Sequence, residues 1–529
     1  MITPRRPAAC LALLAALLPA LSGCMVGPDF KRPDPPRDES YLTPETAIAE
    51  TASANVLGGE AQRYVQNLDI PGQWWTMFQS RPLDDMIQQA LAANPDVQAA
   101  IAALKVAQQN ARAQRAALFP QVGLSGSATQ NQQPSSIAPT LANGNSVFGL
   151  FTAFLNISYA LDVFGGTRRA AESLDAQAES QCFLLEAAYL TLASNVVVAA
   201  ITEAALRGQV AAAERTIEIQ RQTLGLLQRR LALGQSAVAD VATQQAALAQ
   251  AEAQLPPLRN QLSQQRHLLS TLVGQTTSHE PAATFDLTSL TLPLDLPVSL
   301  PSRMVEQRPD VRAAEANIHA AAAAVGVAVA NQLPQFNLNL MYGFQAPSAD
   351  QFFDVLFVPG QAAITAGGGF LAPLLDGGAL AAKKKAAQAA LEQSTAQYRS
   401  TVLAAFRNVA DTLRALEFDA MALKATADAE RAAKLSLTIT RTRLAAGDAG
   451  ILDILNAETT YQQAVLALVQ AQASRYADTA ALYQALGGGW WNRDSEGNAT
   501  PAKRAACKAP PNHDHAGGTR PTPAYSSRR

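Results

Sequence analysis

Apolar and polar residues alternate strictly along one segment near the middle of the first half of the chain. From Phe151 to Val163 the odd positions are apolar, while the even positions include Asn156 and Ser158. A period of two is typical of a strand whose two faces meet different surroundings. The segment is long enough to cross a bilayer when tilted. With a weaker alternation before it, the pattern predicts a pair of strands at 121–133 and 147–163.

The same alternation returns later in the chain. Apolar residues at even positions from Phe336 to Phe344 alternate with mostly polar neighbours. This predicts a second strand pair at 335–345 and 361–374.

A very long stretch of helix-forming residues follows each predicted strand pair. The first leaves Gly165-Gly166 and runs to Gly234, and the second leaves Gly377-Gly378 and runs to Gly447. Both lack proline and are rich in Ala, Leu, Gln, Arg and Glu, which favour helices. A helix of that length spans about 100 Å. Such rods suit a structure that crosses a wide gap rather than a compact domain.

These landmarks form an internal repeat with an offset close to 213 residues. Each copy contains a Pro-Asp-Val helix start, a Pro-Gln strand start, a Gly-Gly turn and an Arg-Leu-Ala-x-Gly helix end. In each copy a return helix follows the glycine that ends the long helix, Gly234 or Gly447. In the first return helix, apolar residues every seven positions are typical of a coiled-coil seam, and Pro256-Pro257 predict a kink or a break.

Four amphipathic strands cannot close a barrel alone, and open strand edges are not tolerated in lipid. Several copies of the chain must therefore pool their strands. The predicted architecture is a β-barrel in the outer membrane that continues into a tube of long helices in the periplasm.

The first 24 residues resemble the export signal of a bacterial lipoprotein. Arg5-Arg6 precede an apolar run that ends in Leu21-Ser22-Gly23-Cys24, which resembles a lipobox. Cys24 is therefore the expected site of lipid attachment, and Met25 after it favours delivery to the outer membrane. Beyond the N-terminus, we expect no apolar stretch as long as a spanning helix.

Composition and charge mainly exclude classes of function. The net charge is −2, and no basic stripe is available to bind nucleic acid. The other cysteines, Cys10, Cys182 and Cys507, have no spacing typical of a metal site or a disulfide pair. The sequence contains no recognisable set of nucleophile and base, no Walker loop and no metal-binding cluster. We therefore expect neither an enzyme nor a cofactor. The polar tail after Trp491 is predicted to be disordered.

Several motifs together resemble the NodT family of outer-membrane lipoproteins. They are the Cys24–Pro33 arm, Trp-Trp-Thr-Met-Phe at 74–78, the paired Pro-Asp-Val starts and the terminal Ala-Leu-Gly-Gly-Gly-Trp at 485–490. The resemblance covers about 24–491. It implies a homotrimer with a twelve-stranded barrel and a helical barrel, related in architecture to TolC. It further implies docking to a periplasmic adaptor protein and to an inner-membrane resistance-nodulation-division pump, as a passive efflux duct.

The resemblance also implies a constriction near the periplasmic tip turns, which Gly234 and Gly447 mark. The family carries acidic residues six and nine positions after the second tip glycine, and here Asp453 matches the first while Asn456 stands at the second. Asp240 holds the equivalent place in the first repeat. The alternative for Asp453 is a solvated or helix-capping carboxylate. The residues beside the tip glycines, such as Leu233 and Asp448, also depart from the family's small apolar pattern.

The expected organisation has five parts. They are a signal peptide (1–23), an arm with an N-terminal equatorial segment (24–72), a first repeat (73–278, long helix 167–233), a second repeat (279–491, long helix 379–446) and a tail (492–529). Two other functions stay open: a duct for type I protein secretion, and a periplasmic coiled-coil adaptor. The adaptor has no need of two long strand pairs, and the exported substrate cannot be read from the sequence.

Overall fold

The computed structural model describes residues 25–38, 40–42, 49–132, 147–356, 358, 360 and 362–493. The signal region, Cys24, the loop at 133–146 and the tail from 494 lie outside the described residues. The chain divides into two units. The first contains the described parts of 25–33, 103–181 and 314–399, and the second contains those of 34–102, 182–313 and 400–493.

The first unit holds one sheet of four antiparallel strands in the order β2-β3-β5-β6. The strands are β2 (Gln121–Gln132), β3 (Val147–Leu161), β5 (Gln335–Ala346) and β6 (Ala363–Leu371). They lie within a few residues of the strands that the alternation predicts. A short helix, α7 (Ala349–Leu356), lies between β5 and β6, and the alternation gave no sign of it.

The long helices are α3 (Gly166–Ala232) and α8 (Ala379–Ala446), and each passes from the first unit into the second. Their return helices are α4 (Val238–Leu272) and α9 (Ile451–Ala485). Pro256-Pro257 do not split the helix, because α4 is continuous through both residues, and the alternative expectation of a kink stays a prediction. Both prolines are exposed, so the carbonyl groups that lose their helical partners face water.

Four shorter α-helices also lie in the part of the chain that the structure describes. They are α1 (Arg81–Ala93), α2 (Pro95–Ala116), α5 (Pro301–Gln307) and α6 (Pro309–Ala330). Asn94 separates α1 from α2, and its side-chain oxygen accepts hydrogen bonds from the backbone N–H groups of Asp96 and Val97. This contact caps the N-terminus of α2.

The second unit also contains a small parallel sheet that the sequence did not suggest. It pairs β1 (Arg63–Gln66) with β4 (Asp295–Val298). The core beside it is aromatic: Trp74 is buried and stacks on Tyr483 with ring centroids 5.4 Å apart. Arg475 is fully buried and donates hydrogen bonds to Thr51 and to the carbonyl of Glu60. The N-terminal, middle and C-terminal segments therefore share this core.

Among the described residues, two helices are long and apolar enough to cross a membrane, contrary to the sequence expectation. They are Gly166–Ala232 and Pro309–Ala330, both rich in alanine and valine. In their most apolar windows, 61% and 56% of the residues are buried inside the protein. Core helices of soluble proteins pass the same test, so these windows are weak evidence for spanning helices.

Cysteine pairing is a second correction. Cys182 on α3 is fully buried and takes part in a disulfide bond, although no spacing in the sequence suggested one. The sequence also predicted a tail that begins too early in the chain. Residues Trp490–Asn492 form a helical turn, and a guanidinium nitrogen of Arg493 lies 2.7 Å from the Glu186 carboxylate.

Candidate functional site: the amphipathic sheet and the helical tips

One face of the four-stranded sheet carries most of its polar side chains. Residues directly opposite each other in an antiparallel pair point to the same face. Gly123 lies opposite Asn156, which lies opposite Met341, and Ser158 lies opposite Asn339. The polar members of this face are Gln121, Ser125, Ser127, Thr129, Asn131, Thr152, Asn156, Ser158, Gln335, Asn337, Asn339, Gln345 and Thr365.

Hydrogen bonds across the strands order this polar face. The hydroxyl groups of Ser127 and Thr152 are 2.8 Å apart. The side-chain amide of Asn156 donates to the hydroxyl oxygen of Ser125 at 2.7 Å. The register therefore brings together side chains that the sequence placed on the even positions of one strand and the odd positions of its neighbour.

The opposite face is apolar except at Gln130 and Gln132 near the end of β2. Its large apolar side chains are Val122, Leu124, Val147, Phe151, Leu155, Ile157, Tyr159, Leu161, Phe336, Leu338, Leu340, Tyr342, Phe344, Ile364 and Phe370. Phe336 and Phe370 pack with ring centroids 5.9 Å apart. Many of these side chains stay exposed, with Leu124 at 80% and Ile364 at 68%. An exposed apolar surface of this extent is typical of a face that meets lipid or another protein.

The sheet has two edges, β2 and β6, each paired along one side only among the described strands. Open edges present unpaired backbone N–H and C=O groups. The sheet can therefore extend by adding a strand at each side.

The two long helices end in the same backbone conformation at their tips. Gly234 (φ +73°) and Gly447 (φ +85°) adopt the left-handed conformation that glycine accepts without strain. At the first tip the N–H of Gln235 donates to the carbonyl of Arg230, and at the second Asp448 donates to Arg443, both at 2.8 Å. This is the Schellman motif, which satisfies the last carbonyl groups of a helix.

The two predicted acidic residues begin the return helices. The Asp240 carboxylate accepts hydrogen bonds from the backbone N–H of Ala237 at 3.1 Å and from the hydroxyl of Ser236 at 3.0 Å. The Asp453 carboxylate accepts one from the N–H of Gly450 at 2.9 Å. Both therefore cap a helix N-terminus, the alternative role that the sequence left open for Asp453.

Sequence reasoning missed an ion pair beside the second tip. The Glu458 side chain is only 2% exposed, and a guanidinium nitrogen of Arg441 lies 3.4 Å from its carboxylate. Burial raises the pKa of Glu458, while the charge of Arg441 opposes the rise. A heptad pattern shows which face of a helix is buried, but it does not show that a charged pair lies there.

Comparison with known families identifies the class of protein that has such a sheet and such helical tips. The family model described as "Outer membrane efflux protein" matches residues 86–275 and 300–488, well over half of the chain. The chain belongs to the outer membrane efflux protein family. Each matched segment lies within one of the two predicted repeats. The predicted resemblance to the NodT family is thereby confirmed, and the chain is an outer-membrane component of efflux.

Individual relatives agree with this assignment. The chain is 30% identical over 426 residues to the pyoverdine export outer membrane protein OpmQ of Pseudomonas putida, which covers 80% of this chain and 89% of that protein. It is 26% identical over 484 residues to nodulation protein T of Rhizobium leguminosarum bv. trifolii, covering 89% and 95%. The solved structure of the outer-membrane channel OprN matches with a TM-score of 0.77 at 27% identity, covering 88% of this chain and all of that one. The predicted channel fold, with long helices and four strands in two repeats, is therefore confirmed.

Proposed function

We propose that this efflux protein acts as a passive homotrimeric duct without catalysis. Three copies of the four-stranded sheet close one twelve-stranded barrel in the outer membrane, and the long helices continue as a tube into the periplasm. The polar face lines the water-filled lumen and the apolar face meets lipid. Small molecules cross this duct after a periplasmic adaptor and an inner-membrane pump of the resistance-nodulation-division type deliver them.

The observation that carries the proposal is the sheet itself. It has one mainly polar face and one mainly apolar face, and at each side an edge that pairs with no other described strand. In hydrocarbon every backbone polar group must be paired, which only a closed barrel achieves for strands. Strand β2 of one copy must therefore pair with strand β6 of the next.

A cysteine crosslink between copies tests this closure. Gly123 on β2 and Gly367 on β6 lie on the polar face, and a Cβ added at either meets no atom within 4 Å. Cysteines at Gly123, Ser125 or Ser127 are combined in turn with one at Gly367 or Gly369. We expect at least one pair to give covalent trimers on non-reducing gels.

The matched control moves one cysteine to the other face. Leu124 is a direct neighbour of Gly123, but its side chain points to the apolar face. Pairs that combine Leu124→Cys with Gly367→Cys should not crosslink. Crosslinked dimers without trimers, or equal crosslinking from both faces, would contradict the trimeric barrel.

Lipid attachment at Cys24 is part of the same proposal. Residues next to Cys24 are firmly held: the Arg169 guanidinium donates to the carbonyl of Val26 at 3.2 Å and to the Asp29 carboxylate at 2.5 Å. Phe30 stacks on His319 with ring centroids 4.5 Å apart. An arm fixed in this way would run along the boundary of barrel and periplasm and bring its lipid to the bilayer. Cys24→Ser should abolish palmitate incorporation and mislocalise the protein, and labelling that persists would contradict the site.

Docking of the adaptor is proposed at the helical tips. Large apolar side chains are exposed around Gly234 and Gly447, namely Leu233 (72%), Val238 (71%) and Leu452 (67%). Crosslinking in cells followed by purification of this chain should recover an adaptor and a resistance-nodulation-division pump. Recovery of an ATP-driven protein exporter in place of that pump would assign the duct to type I secretion.

A further inference from the structure

The N-terminal arm covers the seam where the two repeats of one chain meet. Helix α3 of the first repeat and helix α6 of the second form the walls of this internal seam. The Ser173 hydroxyl donates to the carbonyl of Ala320 at 2.9 Å. Beside it, the Glu172 carboxylate lies 3.0 Å from Nε2 of His319. These residues and the arm at 25–33 all belong to the first unit.

The arm brings a carboxylate to a buried cation at the internal seam. The Arg169 side chain is 2% exposed, and its guanidinium donates to the Asp29 carboxylate and to the carbonyl of Val26. Phe30 stacks on the His319 ring. The internal seam therefore balances its cation with an acidic group from a segment laid across it.

The repeat predicts an equivalent seam between copies of the chain. Strand β3 pairs with β5 inside one chain, and in the proposed trimer, on which this inference rests, β6 pairs with β2 of the next copy. Helix α8 follows β6 as α3 follows β3, and α2 precedes β2 as α6 precedes β5. Helix α8 of one copy therefore packs beside α2 of the next, as α3 packs beside α6 within a chain.

The registers of the helices assign equivalent positions along the two seams. Helices α2 and α6 both have 22 residues, and their offset is 214, from Pro95 to Pro309. Helices α3 and α8 each follow directly after a glycine with positive φ, Gly165 and Gly378, so their offset is 213. The tip glycines keep this offset, and the two long helices thus stay in register.

Two lysines face each other across the seam between copies. Lys385 on α8 is the equivalent of Glu172. Lys105 on α2 is the equivalent of His319. The internal seam has a carboxylate and an imidazole in contact, whereas the seam between copies brings two ammonium groups together. Like charges repel each other, so this place favours an anion between them.

A third cation lies on the same wall. Gly326 of α6 borders Arg169 at the internal seam, where an added Cβ would lie 2.9 Å from the Arg169 side chain. The equivalent of Gly326 on α2 is Arg112, which lies two helical turns beyond Lys105 on the same face. Across the seam, Ala382 replaces Arg169 and leaves room for the Arg112 side chain.

The three cations lack the carboxylate that the internal seam has. Lys105, Arg112 and Lys385 are exposed, and none of them forms an ion pair with a described residue. The acids closest in sequence to Lys385 are Asp376 and Glu392. Asp376 accepts hydrogen bonds from the backbone at the N-terminus of α8, and Glu392 lies two helical turns beyond Lys385. The arm is already bound at the internal seam.

The cations lie just below the apolar face of the sheet. Leu374 and Leu375 follow β6 and are 94% and 95% exposed. Lys385 lies six residues into α8, about 9 Å along the helix. The headgroup region at each side of a bilayer is about 5–8 Å thick. Because lysine and arginine side chains extend toward that region, the three cations are within reach of lipid phosphates.

We propose that the seam between α8 of one copy and α2 of the next binds the phosphate of an anionic phospholipid through Lys385, Lys105 and Arg112. The phosphate replaces the carboxylate that the arm supplies at the internal seam. The arm runs along the outside of the proposed duct, so the equivalent face between copies also faces outward. The acyl chains lie along the apolar face of the sheet, and the trimer has one such site at each seam.

Native mass spectrometry of the full chain, purified from membranes in a mild detergent, tests the site. Trimers given equal amounts of phosphatidylglycerol and phosphatidylcholine should retain phosphatidylglycerol in preference, up to one molecule per copy. Each cation near a membrane surface strengthens the binding of anionic lipid about fivefold. The combined change Lys105→Gln, Arg112→Gln and Lys385→Gln should therefore abolish the preference while the trimer stays intact.

The matched control removes the same number of charges far from the sheet. Arg229, Lys424 and Lys434 are exposed residues in the distal halves of the long helices. Their combined replacement by Gln should leave the preference unchanged. An undiminished preference in the seam variant would overturn the site. Wild-type trimers that keep inorganic phosphate but show no preference for phosphatidylglycerol would overturn its assignment to lipid.

A crosslink between copies tests the seam separately from the lipid and from the trimer. Lys105→Cys combined with Lys385→Cys should give covalent trimers with a short bismaleimide, and Lys105→Cys combined with Lys424→Cys should not. Failure of this crosslink in a chain whose β2 and β6 strands do crosslink would overturn the seam alone. Purified chains that are monomers throughout would contradict the proposed duct, whereas intact trimers without the lipid preference would overturn only the lipid site.

Discussion

The two helical tips share one backbone design and differ in the side chains that hold their helices together. Both close through a left-handed glycine and a Schellman pair, and both carry a capping aspartate six residues later. Repeat symmetry with an offset of 213 places Gln228 and Gln245 of the first tip where the second has Arg441 and Glu458. Glu458 is buried, whereas Gln245 is exposed.

Core packing at the two tips differs as well. At the second tip Leu437, Leu444, Ile454 and Ala457 form a buried apolar cluster. At the first tip the position equivalent to Ala457 is Gln244, fully buried, whose amide donates to the carbonyl of Gln220 at 3.2 Å. The repeat has therefore kept its turn geometry while the pairing of its helices has diverged. Both tips bury apolar side chains, such as Val241 at the first and Ile454 at the second, but the first adds a buried glutamine and the second a charged pair.

Removing the cation at the second tip should have the largest effect. Arg441→Ala leaves the Glu458 carboxylate buried without its charged partner, which should lower the free energy of unfolding by about 1–3 kcal/mol. The equivalent change at the first tip, Gln228→Ala, should stay within about 0.5 kcal/mol. Thermal melts of both variants in the same detergent give the comparison. Equal shifts would show that the ion pair contributes nothing to the second tip.

The tip glycines should respond alike, because their backbones are alike. Gly234→Ala and Gly447→Ala should each cost about 1 kcal/mol, since a Cβ at either site meets no atom within 4 Å and only the left-handed backbone resists it. Gly225→Ala is the matched control. Gly225 lies inside α3 with equal free space, so alanine there should stabilise by about 0.5–1 kcal/mol. A tip variant as stable as the control would remove the requirement for glycine.

The buried carboxyl group should give the second tip a pH dependence that the first lacks. The pKa of Glu458 in the folded chain is raised above its ordinary value of 4.5. The folded state then holds a proton that the unfolded state releases. Stability contributed by this group falls as the pH rises from about 4.5 to the raised pKa, and is constant above it.

Melting curves of wild type and Glu458→Gln between pH 4 and pH 7 isolate this effect. The variant should lack the part of the slope that Glu458 supplies, and Gln245→Glu should add none because position 245 is exposed. Identical slopes for wild type and Glu458→Gln would mean that the carboxyl group titrates as it does in water.

Much of this fold is local in sequence and could be predicted from it. Alternation fixed the strands, and glycine and proline marked the turns, because both signals act within a few residues. Contacts between distant segments left no such signal. Arg63 pairs with Asp295 in the small parallel sheet, across 232 residues, and Arg441 meets Glu458 only after the chain reverses. Cys182 is a further example, because the spacing of the cysteines gave no sign of its disulfide.

The smallest expected difference in stability concerns the capping aspartates. Variants at the same two positions also test whether Asp453 lines the constriction that the family resemblance implies. Asp240 accepts two hydrogen bonds at its tip and Asp453 accepts one. Asp240→Ala should therefore lower the free energy of unfolding by about 1 kcal/mol, and Asp453→Ala should lower it by about 0.5 kcal/mol.

If Asp453 lines the constriction, three carboxylates gather there in the trimer and attract cations. Asp453→Asn keeps a side-chain oxygen that can cap the helix and removes only the charge. It should raise single-channel conductance in planar bilayers and weaken block by multivalent cations, with little change in the melting temperature. Asp240→Asn is the matched control and should leave both channel properties nearly unchanged. Unaltered conductance and cation block in Asp453→Asn would reduce Asp453 to a helix cap.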